Sequence, residues 1–183
     1  STTTGFQTVT NNQMTTVFSS GAFLVVAILM AVGGSSGSTS GGMKLSRLGL
    51  IAKSMVSTIK ETLSPGTARV SVRYYHLGKK VLTTEVAKAA LTVSALFVFT
   101  YLAGSLVGIA HGYDALDAIF ESVSMASNGG LSSGIIAHGM PPVLEGVYIL
   151  EMWAGRLEFI TLIALIVKVV VSLSALAKRK LRD

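Results

Sequence analysis

Two short segments of this chain have the composition of an ion filter built from backbone carbonyls. One is Thr3-Thr4-Gly5-Phe6 and the other is Asn128-Gly129-Gly130-Leu131. Each sets a polar and a small residue before a glycine, with an apolar residue after it. Successive carbonyls can be turned one way only where the backbone reaches positive φ cheaply, which glycine does. Gly5 and Gly130 are therefore the candidate pivots, and Thr3, Thr4, Phe6, Asn128, Gly129 and Leu131 supply the flanking carbonyls. Rings of such carbonyls replace the hydration shell of a monovalent cation. The plain alternative is that both segments are ordinary turns between helices.

Two further features would act on an ion path. The first is the run Gly33-Gly34-Ser35-Ser36-Gly37-Ser38-Thr39-Ser40-Gly41-Gly42, which directly follows the uncharged apolar stretch Thr15–Val32. A flexible linker would join two polar domains, whereas this one ends a membrane-length run and opens into a basic helix. Irregular backbone at membrane depth is tolerated only where it is buried in protein or lines a water-filled path. Side chains this small can fold compactly or swing aside, which suits a gate; a passive helix break is the alternative. No GK[ST] follows, so the run is not a phosphate-binding loop. The second feature is Arg156, about 13 residues and ~20 Å into the last apolar stretch. A cation there should face the bundle interior or water. It would act either as a positive barrier touching the loop or as structural glue paired with Glu151 or Glu158.

Composition sets the class. Half of the 183 residues are hydrophobic and 13% are charged, with a mean hydropathy of +0.63. Roughly Met14–Val32, Ala87–Ala110 and Val143–Ala177 reach the ~20 residues that cross a bilayer as helix. An integral membrane protein is expected. Cysteine is absent, which excludes disulfides and thiolate metal sites. The chain opens on uncharged STTTGF without an initiator Met or a basic leader, and it reads as a fragment or a processed piece. Lys44, Arg47, Lys53, Lys60, Arg69, Arg73, Lys79, Lys80 and Lys88 form one basic block, and Lys178, Arg179, Lys180 and Arg182 another. Between Lys88 and Arg156 the charges are acidic: Asp114, Asp117, Glu121, Glu145 and Glu151. The positive-inside rule then makes 44–88 and the C-terminus cytoplasmic. The basic pI reflects this topology, and no nucleic-acid partner is expected.

These elements must position the filters. Met14–Val32 descends from outside, and the glycine run breaks it. Met43–Leu63 resumes as an amphipathic inner-surface helix, stopped at Ser64-Pro65-Gly66. Arg69–Tyr75 alternates with period two, His76–Lys80 can turn and Val81–Thr84 can return, so a short cytoplasmic β-hairpin is expected. Thr83 or Thr84 caps the helix that carries Ala87–Ala110 outward. Asp114–Met125 is a helix too short to cross, and Ala126–Gly134 cannot be helical; together they read as a re-entrant pore helix and filter. From Val143 to Lys178 the pattern is one helix of ~54 Å. Each filter stands just before a descending span, so the chain holds about one and a half copies of a span–pore helix–filter–span unit.

In that order and spacing, STTTGF, GGSSGSTSGGMKLSR, SNGGLS and MWAGRLE (Met152–Glu158) resemble the Trk/Ktr/HKT superfamily of potassium transporters, in particular the C-terminal half of a TrkH-type membrane subunit. The resemblance covers nearly the whole chain. It implies an all-α membrane fold of potassium-channel type with four pore-loop units around one pore. Residues 1–63 would hold the third filter, its broken inner helix and the gating loop. Residues 64–84 would be the cytoplasmic connection, and 85–183 the fourth unit. The resemblance also implies potassium as the transported ion, no cofactor, and a plasma (inner) membrane location. Implied partners are lipid, the remaining repeats of the same subunit, a second copy in a homodimer, and a cytoplasmic nucleotide-binding ring of the TrkA/KtrA kind docked on the basic surface. A serine at a filter glycine goes with sodium transport in the plant branch, so Gly5 and Gly130 favour potassium. Asn128 and Gly129 depart from the commoner threonine-containing pattern.

The remaining polar residues have simpler readings. Glu145, Asp114 and Asp117 either concentrate cations at the outer mouth or form a solvated face and a helix N-terminus. His111 and His138 are interfacial loop residues and not metal ligands, and Met152 and Trp153 are packing residues. No nucleophile–base pair or nucleotide motif supports an enzyme. A non-Trk monovalent cation channel, or a secondary transporter with broken helices, is the alternative. The latter needs inverted repeats, whereas the two units here run in the same direction.

Overall fold

The computed structural model describes residues 19–35, 41–63, 73–75, 79–81 and 83–157, with 159, 161, 164, 165 and 167–172 beyond. Thr3–Phe6, the middle of the glycine run at 36–40 and the basic C-terminus lie outside the described residues. The fold is mainly helical. In chain order it runs α1 (Ser20–Val32), α2 (Leu45–Leu63), β1 (Arg73–Tyr75), β2 (Lys79–Val81), α3 (Thr84–Ala110), α4 (Ala115–Ser127) and α5 (Pro142–Leu157).

The first described helix starts at Ser20, later than the expected Met14. Ser19 is extended (φ −63°, ψ 150°) and its hydroxyl accepts from the Ala22 N–H at 3.4 Å. This N-cap satisfies a donor that the first turn leaves free. The resulting 13-residue helix is ~20 Å long, short of a ~30 Å hydrocarbon core. Among the described residues, α3 is the helix long and apolar enough to cross a bilayer, with 27 residues. It buries Ala90, Val93, Ser94, Phe97, Tyr101, Gly104, Ser105 and Gly108 along one stripe. Its opposite face carries Leu91, Phe99, Leu102 and Leu106, with Phe99 70% exposed. A helix apolar all round belongs in a core or a membrane.

None of the residues of α2 is buried. It lies along the first half of α3, and a groove of about 400 Å³ runs between them, lined by Ile51, Met55, Ile59 and Leu91 among others. The two strands pair antiparallel with Arg73 opposite Val81 and Tyr75 opposite Lys79. Lys79 and Lys80, expected in the turn, therefore belong to the second strand. Thr83 holds the N-cap position of α3 in extended backbone, without a side-chain cap bond.

The most buried element is α4. Asp114 caps it, accepting from the Leu116 N–H at 3.1 Å, and Asp117 sits in its first turn. These two acids thus follow the helix-terminus reading. Every residue from Phe120 to Ser127 is buried, and the helix packs on α1, α3 and α5. On the α1 side Phe120 stacks on Phe23 with ring centroids 4.0 Å apart. Phe97 meets Phe159 edge to face at 4.7 Å. A second cluster of Ala118, Met125, Ile135, Leu144 and Tyr148 holds α4 to α5 and to the loop before it. Pro142 opens α5, a position where its missing N–H costs nothing.

Close helix approach depends on one glycine of α5. A Cβ on Gly155 would run into the Ala126 carbonyl, whereas one on Gly146 meets nothing within 4 Å. Gly155→Ala should therefore overpack the α4–α5 contact by about 1–3 kcal/mol. Gly146→Ala should be neutral or stabilising by up to ~1 kcal/mol through helix propensity. Thermal unfolding of the purified full-length protein in detergent checks this: only the first variant should melt earlier.

Candidate functional site

The backbone changes character at the C-terminus of α4. Asn128 adopts the left-handed region (φ 54°, ψ 38°), and Gly130 also has positive φ, at 75°. The Asn128 N–H donates to the Met125 carbonyl at 3.0 Å and the Gly129 N–H to the Ser124 carbonyl at 2.7 Å. The segment then doubles back along the helix it has left. Ser124 Oγ donates to the Leu131 carbonyl at 2.5 Å, so that carbonyl faces α4. Gly129 is buried, Asn128 and Leu131 are half-buried, and Gly130 is exposed.

The described ends of the glycine run meet the same junction. Gly33 leaves α1 at positive φ, and its N–H donates to the Met30 carbonyl at 3.1 Å. The chain returns beside its own exit. The Met43 N–H donates to the Ala31 carbonyl at 3.0 Å and the Leu45 N–H to the Gly34 carbonyl at 3.1 Å. The Tyr101 hydroxyl of α3 donates to the Ala31 carbonyl as well, at 3.3 Å. Gly41 and Gly42 are buried. A Cβ on Gly41 would come within 2.7 Å of the Ser127 carbonyl and 2.9 Å of Asn128 Nδ2. The sequence reading sets this loop beneath Thr3–Phe6, which lies outside the described residues; the described contact is with Ser127 and Asn128. On the same side, the Met30 sulfur lies 2.9 Å from a Cβ built on Gly129.

From the other side α5 closes the junction. Asn128 Nδ2 donates to the Met152 carbonyl at 3.3 Å, and Gly155 presses on Ala126. Arg156 is the next residue and is exposed, so it flanks the junction from α5. Glu151, one of its two candidate partners, turns elsewhere. It is buried, with Oε1 2.9 Å from Ser122 Oγ and its carboxylate against Gly104 of α3. Ser122 Oγ is also 3.0 Å from the Tyr101 carbonyl. The other candidate, Glu158, has no described side chain. Met152 and Trp153, expected as packing residues, are exposed on this chain. Glu145 and His138 are exposed too, and the His111 ring sits 2.8 Å from the Val107 carbonyl of its own helix.

Sequence reasoning passed over the most constrained side chain here. Glu121 is fully buried. Its Oε1 accepts from Ser132 Oγ at 2.7 Å, and its Oε2 accepts from the Ser133 N–H at 2.8 Å and Ser133 Oγ at 2.9 Å. Grouped with Asp114 and Asp117, it reads as one more outward-facing acid. One signal did separate it: it lies two turns into α4, past the first turn where the helix dipole favours acids.

Comparison with known proteins identifies the family. The family model described as TrkH, cation transport protein, matches residues 1–174. The chain is 33% identical over 164 residues to an uncharacterized cation transporter of Methanocaldococcus jannaschii, covering 90% of this chain and 33% of that protein. It is 30% identical over 148 residues to the Trk system potassium uptake protein TrkH of Escherichia coli K12, covering 78% of this chain and 30% of the relative. The TrkH of Halomonas elongata is 31% identical over 138 residues, or 73% of this chain and 28% of its own length. The chain thus spans about a third of the length of the curated relatives it matches. It belongs to the TrkH family of cation transport proteins, which are transporters and not enzymes.

Proposed function

We propose that this chain supplies a filter segment and the gating loop to the potassium-conducting pore of a Trk-type uptake system in the inner membrane. The observation that carries this reading is the seat of Gly41 on Ser127 and Asn128. The described end of a glycine–serine run that follows one apolar helix lies directly against the start of a glycine-containing segment with positive φ at Asn128 and Gly130. Residues 85–183 form one span–pore helix–filter–span unit, and 1–63 the trailing half of the unit before it. The other repeats of the subunit complete the ring of carbonyls, so this chain alone does not conduct. The filter draws on the carbonyls of Thr3, Thr4, Gly5 and Phe6 and of Asn128, Gly129 and Gly130; the Leu131 carbonyl, expected among them, is bonded by Ser124 Oγ and turned toward α4. The gate is formed by Gly33–Gly42 with Arg156 beside it. The basic block at 44–88 faces the cytoplasm, where a nucleotide-binding regulatory ring docks, and two such subunits pair in the membrane.

Substitutions in the full-length subunit test filter and gate separately. Gly130→Ser puts a Cβ at φ 75°, which costs about 1–2 kcal/mol of backbone strain. The potassium-over-sodium uptake ratio should fall about tenfold, the equivalent of about 1.4 kcal/mol. Uptake assays in potassium-uptake-deficient cells read it, and an unchanged ratio removes 128–131 from the filter. Gly41→Ala drives a methyl into the Ser127 carbonyl and should unseat the loop. Ion flux without the regulatory ring should then rise several-fold, by roughly the factor of 5–30 that 1–2 kcal/mol represents, with the ratio kept. Flux that stays at the wild-type level, with normal membrane abundance, would rule the loop out as the gate.

A further inference from the structure

We propose that Glu121 is the positioning residue of the Asn128–Leu131 segment, holding its outgoing limb to α4 through Ser132 and Ser133. The inference rests on the reading of 128–131 as a filter and adds what fixes that filter's shape. Only acceptors are required of Glu121. Two hydroxyls and one backbone N–H, all from the dipeptide after the filter, donate to its two oxygens at 2.7–2.9 Å. Burying a carboxyl group costs free energy that only its hydrogen bonds recover, so an apolar side chain would have filled the position at lower cost. What the carboxylate adds is a fixed distance between α4 and residue 133.

The incoming limb is fixed independently. The Asn128 and Gly129 N–H groups are tied to the carbonyls of Met125 and Ser124, and Ser124 Oγ holds the Leu131 carbonyl. Glu121 lies one turn before Ser124 on the same helix. Both limbs are thereby referred to one rigid element, and the carbonyls between them keep their spacing without bonds of their own. A filter that selects by the distance between carbonyls needs such an outside frame. Without Glu121 residues 132 and 133 would lose their described hydrogen bonds to α4, and the carbonyls could close on a smaller ion.

The test measures the potassium-over-sodium uptake ratio and membrane abundance of the full-length subunit. It compares Glu121→Ala, Glu121→Gln, the double variant Ser132→Ala with Ser133→Ala, and Gly130→Ser. Glu121→Ala and the double serine variant should both lower the ratio about tenfold. Glu121→Gln should stay within about threefold of wild type, because its amide oxygen still accepts from Ser133 and its NH2 donates to the Ser132 hydroxyl. A role in folding alone would lower abundance and leave the ratio of the surviving protein intact. An unchanged ratio in the double serine variant overturns the proposal, even if Glu121→Ala fails to reach the membrane. Equal damage from Gln and Ala also overturns it, in favour of the charge itself. If Gly130→Ser lowers the ratio while the serine variant does not, the frame falls and the filter stands; if neither lowers it, both fall.

Discussion

Backbone that leaves a helix among apolar side chains must find new hydrogen-bond partners within the protein, and the rest of this structure depends on how that is done. Two segments leave their helices, one after Val32 and one after Ser127. Each is tied back to the helix it has left. The Ala31 carbonyl accepts from the Met43 N–H and, from α3, the Tyr101 hydroxyl; the Ser124 carbonyl accepts from the Gly129 N–H, and the Ser124 hydroxyl donates to the Leu131 carbonyl. This is the condition on which irregular chain can exist at membrane depth at all.

The same logic orders the charges. Glu121 is enclosed by donors and keeps company with no cation among the described bonds. Glu151 reaches its place only because Gly104 offers no side chain on the facing helix. Its Oε2 has no hydrogen-bond partner among the described residues, and a second polar group would be needed there to complete it. Arg156 stays at the surface of this chain, one residue past the tightest α4–α5 contact. The buried acids therefore serve the packing of one unit, while the arginine faces outward from it.

Much of this was legible in the sequence, and the reasons for the misses are physical. The break at Gly33 could be read because glycine and serine in series deny a helix both propensity and packing. The limits of α3 and α4 fell within a few residues, since Asp114 caps one and an unbroken apolar run defines the other. The start of α1 at Ser20 was missed because a serine cap is invisible inside an uncharged stretch. The strand limits shifted because two lysines look like a turn until cross-strand pairing fixes them. Glu121 was missed for a deeper reason. Its partners follow it by 11 and 12 residues, a separation with no helical or strand period, and only a chain that reverses at the end of α4 brings them together. The filter roles at Thr3–Phe6 rest on the sequence alone.

The contact between Gly41 and Ser127–Asn128 also limits how the loop and the filter segment can behave as a pair. In the proposed division into units, the loop falls in the half-unit that holds α1 and α2, and the segment it touches falls in the next. Ser127 is fully buried, and Asn128 is held on its far side by the Met152 carbonyl. A loop that lifts away would expose the Ser127 carbonyl and remove one wall of Asn128, leaving the α5 contact to hold that residue. Interiors packed at this density switch between discrete arrangements and do not deform smoothly. In the proposed gate, opening of the loop would therefore coincide with a small reset of Asn128, while the bonds from Ser132 and Ser133 to Glu121 hold the far end of the segment in place.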